Sequence, residues 1–156
     1  GVAMEGVAAG IDTRAGRVAD LLSQAAGTPA TITDAPPHWW GRPPHPAEGP
    51  AVVITCEPAG LSDVLGSAPG ALRGSAGAGT LVAGLAEGAC LGAELAELRA
   101  IAARHGGSAV LRCAPPGHKA DLDVWGPVPA WALMRRLKDE FDPQHRLAPG
   151  RFVGGI

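Results

Sequence analysis

The spacing of apolar positions changes from segment to segment, and each spacing predicts an element. Residues 2–7 form a short apolar run of strand length. After Asp12, a residue type that caps helix starts, Val18, Leu21 and Leu22 recur at helical spacing as far as Gly27. Pro29 ends that pattern, and residues 30–33 are again rich in β-branched side chains. Residues 1–34 are therefore expected to form a strand–helix–strand (βαβ) unit. Residues 35–50, APPHWWGRPPHPAEGP, hold six prolines, which neither a regular helix nor a central strand tolerates, so a long ordered loop is expected.

The strongest strand signal is at residues 52–56, followed by Pro58 at a helix-start position and a short amphipathic turn through Leu61, Val64 and Leu65. Residues 70–74 and 80–85 read as two strands joined by a glycine-rich turn. The glycines at 74, 77 and 79 run G-x-x-G-x-G between strands, not G-x-G-x-x-G between a strand and a helix, so no dinucleotide site is expected there. Leu91, Leu95, Leu98, Ile101 and Ala102 keep helical spacing, Gly106 and Gly107 end that helix, and residues 108–113 form the next strand. The order across residues 51–113 is βαββαβ, the split βαβ of ferredoxin-like domains. The expected fold class is thus α+β, an antiparallel sheet with helices on one face, preceded by the N-terminal βαβ unit.

Residues 114–156 are a distinct C-terminal region. Pro129 opens a helix with a stripe of Trp131, Leu133, Met134, Leu137 and Phe141, ended by Asp142-Pro143. Residues 144–156 keep Leu147, Phe152, Val153 and Ile156 and are expected to be a packed extended tail.

Composition narrows the classes. A length of 156 residues suits one domain, and 46% apolar with 18% charged residues is a globular balance. Thirteen Lys and Arg against fifteen Asp and Glu give a net charge of -2 with no long basic run, which excludes nucleic acid as the expected partner. The most apolar stretch, residues 81–98, is interrupted by Glu87, Glu94 and Glu97, so no transmembrane helix is expected. Cys56, Cys90 and Cys113 are odd in number and sit among apolar residues, which predicts buried thiols of a reducing compartment. Neither His38 with His45 nor Cys113 with His118 has a spacing that specifies a metal site, and no serine or cysteine has a readable base partner. The opening Gly-Val-Ala-Met-Glu-Gly has no signal-peptide pattern and suggests a piece of a longer protein.

Asp123-Val124-Trp125-Gly126-Pro127, then Leu133-Met134-Arg135-Arg136-Leu137-Lys138, Phe141-Asp142-Pro143, Arg146-Leu147-Ala148-Pro149-Gly150-Arg151-Phe152 and Gly154-Gly155-Ile156 follow one another here. Together they resemble the C-terminal signature of FAD-linked oxidases of the vanillyl-alcohol oxidase type. The nearest likeness is to FAD-binding subunits of bacterial glycolate oxidases. Trp39-Trp40 with Arg42, Leu98-Arg99 and the Gly106–Val110 stretch are similar to that family more weakly, and the likeness is slight before Ala51. The resemblance implies a C-terminal substrate or cap domain of an FAD-dependent oxidoreductase. Such a protein oxidises a small 2-hydroxy acid such as glycolate and passes hydride to the flavin. FAD would be held mainly by an N-terminal domain absent from this chain, and the fragment alone would be inactive. Implied partners are that domain, a second flavin subunit and an iron–sulfur subunit. The implied location is the cytoplasm, free or peripheral at the inner face of the membrane. Many relatives carry Asn where this chain has Ala148.

By the same resemblance, Arg146, Ala148, Pro149, Gly150 and Arg151 return to the flavin, and arginine donors suit phosphate oxygens. The plainer alternative is that Leu147 and Phe152 anchor the tail and both arginines are solvated. Arg42, with Trp39 and His45 beside it in sequence, is the candidate for the substrate carboxylate, and His38 or His45 for the base. Against that, the tryptophans simply cover the sheet. No catalytic residue and no metal ligand is assigned. The rival function is a non-catalytic ferredoxin-like interaction module that assembles a multi-subunit flavin oxidase.

Overall fold

The computed structural model describes residues 1–86, 90–119 and 122–156. The chain forms two compact units, Gly1–Arg42 and Pro43–Ile156, so the length expected of one domain is divided inside the proline-rich loop. Among the described residues no helix is long and apolar enough to cross a membrane.

In the first unit, helix α1 spans Ala8–Ala26 and ends at Gly27, whose φ of 67° lets the chain turn out of the helix as only glycine does freely. The helix begins earlier than Asp12, with Val7 as its first flanking residue, and no side chain caps it. The expected strands at 2–7 and 30–33 do not form: neither segment has a ladder partner among the described residues. β-Propensity measures fit to a neighbouring strand, and a segment without one stays irregular.

The second unit holds β1 (Ala51–Thr55), α2 (Leu61–Ser67), β2 (Leu72–Ser75), β3 (Thr80–Gly84), α3 (Leu91–Arg104), β4 (Ser108–Cys113) and α4 (Trp131–Phe141). The sheet order is β2-β3-β1-β4, every neighbouring pair antiparallel. This is the βαββαβ arrangement expected from the hydrophobic pattern: β3 lies between β1 and β2, and β1 lies between β3 and β4. Gly79, at φ 60°, closes the β2–β3 hairpin and accepts the Cys56 amide at 2.9 Å.

One face of the sheet carries the core. Val52 and Ile54 of β1, Leu81 and Ala83 of β3 and Ala109 and Leu111 of β4 meet Val64 of α2 and Leu91, Leu95, Leu98, Ile101 and Ala102 of α3. The alternation along β1 follows from this: Val52 and Ile54 face the helices, while Val53 and Thr55 face the other way and are only half-buried. Opposite the helices, Val82 pairs with Val53 and Val53 with Val110. In β4 the register jumps, with Ala51 opposite Cys113 and Val52 opposite Leu111, so Arg112 bulges out to solvent.

Three expectations change. Cys90 is exposed just ahead of α3, whereas Cys56 is buried and Cys113 half-buried. Helix α4 buries none of its residues, so its apolar stripe is not a core stripe. The tail is a succession of turns ending in a short 3-10 turn at Val153–Gly155, not an extended segment; Val153 is its buried anchor.

Leu98 is 1% exposed in the middle of this core. Leu98→Ala should lower the stability of the second unit by about 2–5 kcal/mol, through lost burial and the cavity left behind. Urea unfolding followed by circular dichroism measures it.

Candidate functional site

Of the candidate residues, five lie in the tail, and the tail is built from α3 outwards. Arg99 follows Leu98 on α3, so the core fixes its backbone while its side chain reaches out. Its Nε donates to Ala109 O at 3.1 Å and its guanidinium to Asp123 O at 2.6 Å. Asp123 turns the chain: its carboxylate accepts the Trp125 and Gly126 amides at 3.1 and 3.0 Å. The Gly126 amide beside it holds the Asp123 carboxyl below the usual carboxylate range, with the Trp125 amide and the Arg99 charge acting in the same direction against partial burial. Val124 O accepts the Leu111 amide at 2.9 Å, which ties residues 123–126 to β4.

Trp125 then packs edge to face on Phe152, with ring centroids 5.3 Å apart. Gly154, at φ 67°, lies so close to the Trp131 indole that a Cβ there would collide with it. The DVWG turn, the start of α4 and the end of the tail, far apart in sequence, therefore meet in one place.

Asp142 organises the hook that follows. It is 7% exposed, and its two carboxylate oxygens accept the amides of Arg146 at 3.0 Å and Leu147 at 2.9 Å. Lys138, one turn back on α4, lies 2.7 Å from the same carboxylate and donates to Leu147 O at 2.6 Å. The Lys138 hydrogen bond, with the Leu147 and Arg146 amides, pulls the Asp142 carboxyl down to about 2 against its burial. The hook holds two non-glycine residues at positive φ, His145 at 49° and Ala148 at 45°. Gly150 follows at φ 71°.

The hook leaves Arg146, Ala148, Pro149, Gly150 and Arg151 exposed together. Neither arginine is in an ion pair among the described residues. Beside them lies an open cavity of about 470 Å3, lined by Met134, Leu137, Leu147, Phe152 and Ile156, with Arg151 at its wall. The Arg151 guanidinium at the wall of an apolar shelf, with Arg146 exposed five residues earlier in the same hook, suits a ligand with an anionic and a flat apolar part, as one edge of a flavin nucleotide has. The Arg146 amide is not available for such a contact, since Asp142 takes it. Of the two anchors in the plainer reading, Leu147 is exposed, while Phe152, about half exposed, packs on Trp125.

The substrate candidates are divided. Trp39 and Arg42 belong to the first unit, where the Arg42 amide donates to Trp39 O at 3.2 Å and the Trp39 and Trp40 rings lie 5.6 Å apart. His45 belongs to the second unit, half-buried, with Nδ1 2.7 Å from Pro46 O. Among the described residues no three of His, Cys, Asp and Glu are grouped to hold a metal. Sequence reading missed Arg99, Lys138 and Asp142 as determinants. It also missed the pair of Asp63 and His105, 2.8 Å apart across 42 positions.

Comparisons with protein-family models, curated proteins and solved structures find no match to this chain.

Two outcomes are expected. Ala148→Gly or Ala148→Asn should raise stability by about 1 kcal/mol in thermal melts, because both tolerate the left-handed region that costs alanine. Asp142 has a folded pKa below its unfolded one. Its contribution is therefore complete above about pH 4 and lost as pH falls toward 2. The protection factors of the Arg146 and Leu147 amides, relative to intrinsic exchange at each pH, should fall over that window, and Asp142→Asn should lower them at all pH.

Proposed function

We propose that this chain is the C-terminal cap region of an FAD-dependent oxidoreductase that acts on a small 2-hydroxy acid such as glycolate. The observation that supports it most is the hook, in which Asp142 and Lys138 order a short segment carrying two exposed arginines, neither in an ion pair among the described residues, beside an apolar shelf. The left-handed conformation of Ala148 agrees with the resemblance, because Asn, expected there in relatives, tolerates it.

In this reading Arg146 and Arg151 bind phosphate or the anionic reduced flavin, and Phe152 and Leu147 line the ring's edge. Arg42, Trp39 and His45 are the proposed substrate side. Bound FAD supplies the hydride acceptor. A separate flavin-binding domain holds most of the cofactor, and a second flavin subunit and an iron–sulfur subunit are the proposed electron partners, in a cytoplasmic complex. A second reading, an interaction module without catalysis, is favoured by α4, whose Leu133, Leu137 and Phe141 lie exposed at positions four apart.

Titration with FAD, followed by flavin fluorescence, separates the two. The complete gene product should bind FAD one to one and be bleached by glycolate, and this chain alone should bind it at least about a hundredfold more weakly. Arg146→Ala with Arg151→Ala in that product should weaken FAD about tenfold or more, as for the loss of charge-assisted contacts. A gene product without flavin affinity contradicts the oxidase and leaves the interaction module.

A further inference from the structure

None of the residues of Gly1–Arg42 is buried. Val7 is 80% exposed, and Leu21, Leu22 and Ile32 are open to solvent as well. Yet α1 has an apolar stripe, Ile11, Ala15, Val18 and Leu22, at the spacing of one helix face. Beside it run the segments 2–5 and 30–33, with strand-forming composition and no backbone–backbone hydrogen bond among the described residues. The second segment is tied to α1, since the Ala30 amide donates to Ser23 Oγ at 2.8 Å. Helix stripe and both segments enclose an open cavity of about 760 Å3, lined by Val2, Met4, Val18, Leu22, Ile32 and Trp39 among others.

The second unit contains the same pattern in completed form. There β1 and β2 flank α2 in sequence but do not pair; β3 lies between them, antiparallel to both. In the first unit the order strand-forming segment, helix, strand-forming segment recurs, and both segments line one cavity together with the helix stripe. Backbone donors and acceptors outside any ladder on both segments, Ala30 apart, beside an apolar helix stripe, match one kind of ligand, a β-strand. The charged side chains lining the cavity, Glu5, Asp12 and Asp34, are all acidic, and none forms an ion pair among the described residues.

We infer that Gly1–Arg42 is a strand acceptor. Its cavity takes one β-strand of a partner polypeptide, antiparallel to segments 2–5 and 30–33, with alternate apolar side chains on the α1 stripe and Lys or Arg facing Glu5, Asp12 and Asp34. The inference does not depend on the flavin reading.

The probe is a fluorescein-labelled peptide of about eight residues alternating valine and lysine, a usual strand length. Saturable binding in fluorescence anisotropy, weaker at higher salt, is expected, with amide exchange at 2–5 and 30–33 slowed at least about tenfold. Glu5→Lys with Asp34→Lys should weaken binding about tenfold, attraction being replaced by repulsion at two exposed positions, with the helical circular dichroism kept. Ile32→Pro, which removes a ladder donor outside α1, should abolish it. Binding that leaves those amides unprotected would overturn the inference. So would equal protection by a valine–glutamate peptide, or a dimer of the chain in which the same amides are already protected.

Discussion

The second unit hangs on the packing of α3 against β1 and β4. Leu91, Leu95, Leu98, Ile101 and Ala102 cover Val52, Ile54, Ala109 and Leu111, and each large apolar side chain so buried contributes about 1.5–3 kcal/mol. That contact fixes where Arg99 leaves the helix. Arg99 binds carbonyls of Ala109 and Asp123, Asp123 shapes the turn at 123–126, and Trp125 meets Phe152. The tail is held at the end of this sequence of contacts, with Asp142 and Lys138 setting its last turns. By contrast Gly1–Arg42 buries no residue.

Much of the second unit was legible in the chain, for a physical reason. Its sheet is covered on one face, so Val52 and Ile54 alternate with half-buried Val53 and Thr55, and its long helix repeats leucine at the helical period. The glycines of the hairpin mark a turn because they accept positive φ, as Gly79 does. Segments 2–7 and 30–33 were misread because composition reports what a strand needs and not whether a neighbour exists. The hook was hidden for another reason. Asp142-Pro143 reads as a helix stop, and only the returning chain reveals that its carboxylate caps Arg146 and Leu147. Arg99 likewise looks like a residue on the polar face of a helix until its two carbonyl partners are placed.

The candidate site divides along the same line. The arginines at 146 and 151 were singled out through the resemblance, and the shelf of Met134, Leu137 and Phe152 beside Arg151 came from tertiary structure. Arg42 and Trp39 lie on one side of the unit boundary and His45 on the other. An oxidase cap and a strand acceptor are compatible readings, since both describe surfaces finished by other polypeptide.

Native-state hydrogen exchange across the chain tests most directly the division between a self-sufficient second unit and a dependent first one. Amides of β1, β3, β4 and α3 should exchange only through global unfolding, while those of α1 should exchange by local opening within reach of an isolated helical peptide. Protection of α1 in the isolated chain equal to that of α3 would contradict it, because Gly1–Arg42 would then hold a core of its own.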